Sequence, residues 1–276
     1  TAETLAGRVT FHELDGLALH ETVADASDTA ALNRHWLRGG FPRALLAGSD
    51  KASREWHAAF IRTYLERDLP QLGINLSAVT MRRFWTMQAH YHGQTWNGSE
   101  LGRALGVSDK SVSRWLDILE GTYMAFRLLP WHTNLGKRQV KAPKVYVADS
   151  GVLHSLLGIQ GMDRLLAHPK CGASWEGAMI REVLQRTGVQ RNEAYFWGVH
   201  TGAELDLLIE LHGRKIGFEF KLTRSPRVTP SMRSAYEQLG LDHLYVVCHG
   251  AGQPWPLAEG ITALPALCLA ATEWMP

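Results

Sequence analysis

Two carboxylates and a lysine lie close together late in the chain: Asp206, then Glu219-Phe220-Lys221. Between them, His212-Gly213-Arg214 reads as a turn joining two strands. A two-residue loop at 212–213 sets Asp206 opposite Glu219. A loop at 213–214 sets Asp206 opposite Lys221 and diagonal to Glu219. Side chains alternate along a strand, so either register puts all three on one face. Direct neighbours are then roughly 5 Å apart and diagonal ones about 7–8 Å. Leu205, Leu207, Ile209, Ile216, Phe218 and Phe220 fall on the opposite face. A three-residue loop would flip one strand and separate the acids. Asp is depleted in strands, so Asp206 inside an apolar run carries information.

Two carboxylates at that spacing repel unless a cation stands between them, and oxygen donors select Mg²⁺ or Mn²⁺. Such an ion polarises a phosphate and lowers the pKa of a bound water. A lysine two residues on orients that water or stabilises the transition state. The chemistry is phosphodiester hydrolysis, with Asp206 and Glu219 as metal ligands and Lys221 assisting. Glu176 precedes Ile180 and Leu184 at i+4 and i+8, so it continues the helix face that packs on the sheet. It is the expected auxiliary ligand or base; its plainer reading is an acid favoured by a helix N-terminus. Arg224 and Arg227 follow and are expected to hold the nucleic-acid backbone.

The elements that position these residues follow from periodicity. Residues 171–187 read as an amphipathic helix. Strands are expected at Tyr195–Trp197, Leu205–Leu211, Lys215–Leu222 and Leu244–Cys248, with a helix at about 231–239 before the last. The C-terminal 25 or so residues hold four prolines and suggest only short elements. Residues 28–92 look helical, broken by Gly39-Gly40-Phe41-Pro42 and by Leu69-Pro70. The expected organisation is a helical segment over 1–92, a winged helix-turn-helix over 93–157 and an α/β unit over 158–276, together an α/β (α+β) fold.

Residues 99–120 carry the helix-turn-helix pattern. Ser99 can cap a first helix, Gly106 can end it in the left-handed conformation, and Ser108 can cap a second. Leu101, Leu105, Val107, Val112, Trp115, Leu116 and Leu119 form a shared apolar core. Lys110, Ser111, Ser113 and Arg114 remain outward on the second helix, where short polar and basic side chains suit base edges and phosphates. Asp109 and Asp117 oppose phosphate, and such a unit serves equally as a protein-docking element. A wing built from 122–129 and 144–147 would carry a basic run of Arg127, Lys137, Arg138, Lys141 and Lys144, with no acid between 121 and 148. Lys137 and Arg138 join the expected nucleic-acid contacts.

Composition bounds these readings. The chain has 276 residues, 45% hydrophobic and 20% charged, with a formal net charge of +2. That excludes wholesale disorder and a fibre, and leaves apolar mass for more than one core. Any nucleic-acid surface must come from uneven charge placement: residues 211–236 hold six bases against Glu219 alone. The longest weakly charged apolar stretch, Gly260–Thr272, contains Pro265 and falls short of the about 20 residues a membrane helix needs. Cys171, Cys248 and Cys268 are widely spaced and read as reduced thiols of a cytoplasmic protein. The chain begins at Thr1, read here as a piece of something longer.

Glu176, Asp206 and Glu219-Phe220-Lys221 resemble the PD-(D/E)XK nuclease core, in which a helix acid, a strand Asp and an E-x-K strand build a Mg²⁺ site. Leu205 stands where that family often has proline. More broadly, several stretches resemble the C-terminal half of a family of prokaryotic AAA-type ATPases. They include Leu5-Ala6-Gly7-Arg8, Gly39-Gly40-Phe41-Pro42, Tyr64-Leu65-Glu66-Arg67-Asp68, Pro143-Lys144-Val145-Tyr146-Val147-Ala148-Asp149-Ser150-Gly151 and Trp175-Glu176. In that family a winged helix and a domain of unknown function follow a P-loop module. No G-x-x-x-x-G-K-[ST] occurs here, so ATP enters only through a missing upstream module. The resemblance implies Mg²⁺ or Mn²⁺ as cofactor and DNA or RNA as partner, together with that ATPase module. A homo-oligomer is left open, and no membrane partner is expected. It also leaves the alternative of an inactive nuclease fold acting as a DNA- or protein-binding regulatory module.

Overall fold

The computed structural model describes residues 8–10, 13–74, 76–131, 142–199, 202–271 and 274. Among them, helices flank one mixed sheet of nine strands, the α/β architecture expected. The N-terminal helices are α1 (Leu19–Thr22), α2 (Thr29–Arg38), α3 (Pro42–Leu45), α4 (Asp50–Thr63), α5 (Leu69–Gln71) and α6 (Ala78–His90). Asp28 caps α2 by accepting the Ala31 N–H at 2.8 Å. Gly39, at φ 71°, breaks the run as expected. Leu69-Pro70 does not. A π-turn at Tyr64–Asp68 joins α4 to α5, and the helix passes through Pro70. Proline's missing N–H and its clash with the carbonyl four residues back are accommodated by this wider turn. The chain turns instead after Gln71, where Gly73 has φ 78°.

Helices α7 (Gly98–Leu105) and α8 (Asp109–Gly121) form the expected pair. Gly106 takes the left-handed conformation at φ 72°, and Ser108 Oγ accepts the Ser111 N–H at 3.1 Å. The cap of α7 is Asn97, not Ser99. Asn97 Oδ1 accepts the Glu100 N–H at 3.2 Å, which places Ser99 inside the first turn. Leu101, Val112, Trp115, Leu116 and Leu119 pack with Phe84 and Trp85 of α6 and with Ala125, Val145 and Val147 of the sheet.

The strands are β1 (Gln94–Thr95), β2 (Ala125–Pro130), β3 (Lys144–Val147), β4 (Ala194–Gly198), β5 (Glu204–Leu211), β6 (Arg214–Lys221), β7 (His243–Cys248), β8 (Trp255–Ala258) and β9 (Ile261–Pro265), ordered β1-β3-β2-β4-β5-β6-β7-β9-β8. The β2–β4, β6–β7 and β7–β9 pairs are parallel and the others antiparallel. The proline-rich C-terminal stretch thus supplies two strands to the sheet, with β8 at its edge. The remaining helices are α9 (Ser150–Leu156), α10 (Met162–Leu166), α11 (Cys171–Thr187) and α12 (Pro230–Leu239). Helix α11 buries Trp175, Met179, Ile180 and Val183 on one face of the sheet, against Leu207, Ile209, Ile216 and Phe218. Helix α12 buries Met232, Ala235 and Leu239 on the other, against Leu205, Leu208 and Leu244.

A buried ion network ties the N-terminal helices to α11. Asp149 caps α9 through the Val152 N–H at 2.9 Å and also accepts the Gly40 N–H at 2.7 Å. A Cβ on Gly40 would stand 2.3 Å from Arg181 Nη1, so this close approach requires glycine. Arg181 lies 3.6 Å from Asp149 and 2.8 Å from Glu182, whose other oxygen accepts the Leu19 N–H at 2.7 Å. Burial opposes ionisation of Asp149, but the neighbouring His57, Arg181 and the Val152 N–H outweigh it and hold the carboxyl at about 2. Arg181→Met leaves two buried acids without their cation and is expected to cost about 3–5 kcal/mol in urea unfolding. The Asp149 contribution, about 2 kcal/mol, is complete above the ordinary carboxylate range. It is lost as pH falls through about 2. The wild-type urea midpoint should therefore drop between pH 4 and 2 more steeply than that of Asp149→Asn.

Candidate functional site

The β5–β6 turn resolves the open register. His212 and Gly213 both have positive φ, 52° and 78°, and Leu211 pairs with Arg214 across a two-residue loop. Two positive φ values are the signature of a type I′ hairpin. The paired ladder runs from Leu211–Arg214 to Leu207–Phe218. Strict alternation then fails. Between the Tyr195–Leu208 and Trp197–Leu205 pairs, β5 has two residues, Asp206 and Leu207, where β4 has one, Phe196. This bulge falls at Asp206–Leu207. Leu205 therefore joins Leu208 in the cluster under α12, while Leu207 and Ile209 face α11. That corrects the expectation that Leu205, Leu207 and Ile209 share a face. Asp206 Oδ2 accepts the Phe220 N–H at 3.0 Å, so a side chain takes a hydrogen bond where the ladder ends.

Around this fork the structure gathers the predicted residues and three others. Glu176 reaches in from the first half of α11, with 16% of its side chain exposed. Lys221 Nζ lies 2.7 Å from Glu219 Oε2 and remains 41% exposed. The unforeseen members are Lys144, Tyr146 and Glu204. Lys144 Nζ lies 3.2 Å from Glu176 Oε1 and 3.8 Å from Asp206 Oδ1, and it contacts Glu204 Oε1 directly. Tyr146 donates its hydroxyl to Glu176 Oε1 at 2.6 Å. The sequence did carry a signal for the pair: Lys144 and Tyr146 alternate with Val145 and Val147 in one short strand, which puts them on one face.

Four carboxyl groups thus meet two ammonium groups. Burial and the Asp206 charge push the Glu176 carboxyl up to about 7, against the opposing pull of Lys144 and Tyr146. Burial and Asp206 likewise push Glu219 up to about 8, with Lys221 opposing. Burial disfavours the Lys144 ammonium, but Glu176, Asp206 and Glu204 outweigh it and raise its pKa above the ordinary lysine value. Oxygen donors this short of positive charge suit a hard divalent cation. Among the described residues no three His, Cys, Asp or Glu side chains form a ready-made metal cage. Mg²⁺ does not require one, since it keeps several waters and binds through one or two carboxylates plus substrate phosphates.

The residues expected to contact nucleic acid divide. Lys110 and Arg114 are exposed on α8, Ser113 is half-buried, and Ser111 bonds to the Ser108 cap. Arg224 and Arg227 are exposed in the loop after β6. Lys137 and Arg138 lie outside the described residues. The basic run over 121–148 is not one solvated face. Lys144 turns into the carboxylates, and Arg127 pairs with Asp117 at 2.6 Å and with Glu120.

Comparison with known proteins places two domains of unknown function on this chain: DUF8612 matches residues 29–163 and DUF4143 residues 171–269. The second is typically the C-terminal domain of AAA-ATPase-associated proteins. The chain is 46% identical over 265 residues to an uncharacterized protein of Mycobacterium bovis and, equally, to one of Mycobacterium tuberculosis. The alignment covers 96% of this chain and 58% of each relative, so the chain spans about three fifths of the length of these curated relatives. No solved structure matches. No helix among the described residues is long and apolar enough to cross a membrane. The carboxylate pocket draws on both matched segments, Lys144 and Tyr146 from the first and the acids from the second.

If Asp206 supplies the repulsion, Asp206→Asn in the presence of chelator should lower the titration midpoints of both Glu176 and Glu219, read by carboxyl carbon NMR. Unmoved midpoints would mean that burial alone raises them.

Proposed function

We propose that this chain is the nucleic-acid-handling part of an ATPase-associated protein, and that its C-terminal half is a PD-(D/E)XK nuclease-like unit acting on phosphodiester bonds with Mg²⁺ or Mn²⁺. One observation carries the reading: burial and the charge of Asp206, at a strand bulge, push up the carboxyls of both Glu219 on β6 and Glu176 on α11, and with Glu204 these four acids meet only two lysines. Asp206 and Glu219 would hold the metal, which when bound polarises the phosphate and acidifies a water. Lys221, held by Glu219 yet part-exposed, presents its remaining N–H groups to a phosphate oxygen or the attacking water. Glu176 Oε1 is engaged by Tyr146 and Lys144, which leaves Oε2 to take a proton from water. A carboxyl at about 7 is partly ionised at neutral pH, as a general base requires. Arg224 and Arg227, three and six residues after Lys221, are exposed and suit the nucleic-acid backbone. In this reading α7 and α8 with the following strands form a winged helix, and Lys110 and Arg114 contact phosphates or base edges.

A second reading is favoured by Lys144, whose ammonium sits where an ion would be drawn. The nuclease fold then persists as a DNA- or protein-binding regulatory module of the ATPase. Cleavage of a supercoiled plasmid by the whole chain with Mn²⁺ separates the two. The nuclease reading expects nicking that Asp206→Ala abolishes and Lys221→Ala reduces about 10²–10³-fold. Equal residual nicking by wild type and Asp206→Ala would leave the binding module. Lys110→Ala and Arg114→Ala should each weaken DNA binding uniformly across sequences. Each should also lower the slope of log affinity against log salt by about 1.

A further inference from the structure

The best-held cation of the pocket belongs to the protein. Lys144 lies on β3 between Thr95 of β1 and Leu128 of β2, with 7% of its side chain exposed. Its Nζ is met by acids from two elements, Glu176 of α11 and Glu204 and Asp206 of β5, and it stands 5.5 Å from the centroid of the Phe196 ring. Burying an ammonium costs several kcal/mol unless it is paired and hydrogen-bonded, and this one is paired three times over. Tyr146, two residues further along the strand, donates to the same Glu176 oxygen. Strand β3 therefore delivers a charge and a hydrogen bond to one side of the pocket. The other side holds Glu219 with Lys221. Asp206 touches both sides, with Oδ1 toward Lys144 and Oδ2 on the Phe220 N–H beside Glu219. Sites that hydrolyse phosphodiesters with two metals place the ions about 3.5–4 Å apart. Asp206 has one cation beside it, Lys144 at Oδ1, while its Oδ2 accepts a backbone N–H on the Glu219 side, so the carboxylate stands between the two positions such a pair would take.

We propose that Lys144 is a tethered cation that takes the second of two cation positions, so that the pocket admits one divalent ion, on the Asp206–Glu219 side. The proposal rests on the metal-binding reading above, and it assigns Lys144 the part of setting stoichiometry. A lysine fixed to a strand cannot leave with product or be lost to a chelator. It also brings one positive charge where a metal would bring two, which leaves Glu204 and Glu176 bound to protein and not to substrate.

The test uses the whole chain and Mn²⁺ alone, by isothermal titration and by thermal unfolding with and without the metal. Wild type should bind one Mn²⁺, Lys144→Gln two, and Lys144→Arg, which keeps the charge, one. The unfolding temperature of Lys144→Gln should rise with Mn²⁺ by several degrees more than that of wild type. Two ions in the wild type overturn the proposal. One ion of equal affinity in wild type and Lys144→Gln overturns it too, while leaving the nuclease reading in place. No ion in wild type but one in Lys144→Gln keeps Lys144 as the occupant of a cation position and removes the nuclease reading. No ion in either removes both. Should Lys144→Gln fail to fold alone, recovery with Mn²⁺ but not with KCl of equal ionic strength supports the proposal, and no recovery counts against it.

Discussion

Carboxyl groups cannot be crowded into a dry pocket without countercharge, and this constraint organises the centre of the molecule. Glu176, Glu204, Asp206 and Glu219 meet Lys144 and Lys221, and the imbalance is visible in the raised carboxyl pKa values of Glu176 and Glu219. Coulomb energies at these separations grow several-fold as water is excluded. The raised carboxyls take up protons more readily than ordinary ones, and would release them when a cation binds. The residues that hold the pocket sit on well-tied elements. Strand β3 is fixed on both sides by hydrogen-bonded neighbours, and α11 is pinned by the Arg181–Glu182–Asp149 network at its far half.

The two polar centres on α11 divide the labour of the helix. Its first half offers Glu176 to the pocket. In its second half Arg181 pairs with the Asp149 that holds the Gly40 N–H and donates to the Leu17 carbonyl before α1, and Glu182 accepts the Leu19 N–H at the start of α1. Both centres set two carboxyls against each side-chain cation, but they satisfy them differently. Around Arg181 the hydrogen bonds and the guanidinium outweigh the burial of Asp149, which stays ionised. Around Asp206 burial and the neighbouring charge outweigh the lysines and push Glu176 and Glu219 up. A buried charge set that is satisfied serves architecture, and one whose carboxyls are pushed far from their ordinary range is a place for chemistry.

Much of this was legible from residue order. The alternation around Asp206 and Glu219-Phe220-Lys221 located the hairpin, and a Gly after His212 supplied the turn that its backbone needed. The i, i+4, i+8 spacing from Glu176 turned that acid toward the sheet. What escaped were events that local pattern cannot encode. The bulge at Asp206–Leu207 exists because β4 and β5 pair out of step, a non-local fact. Lys144 looked like one more base on a basic run because its partners lie 32 to 62 positions later in the chain. Pro70 looked like a helix stop because a π-turn leaves little trace in composition. Ser99 lost the cap to Asn97 because either residue type can supply the oxygen, and only the helix phase chooses between them.

Strands β2 and β4 pair in parallel. This pairing joins strands from the two matched segments into a continuous sheet, and it does so in the interior of the strand order, between the third and fourth of nine strands. Severing the chain between those segments would strip backbone partners from both halves, baring two raw margins prone to sticking to other copies. It would also strand an unneutralised ammonium on one piece and an acid surplus on the other. The sheet thus makes the two matched segments structurally dependent on one another.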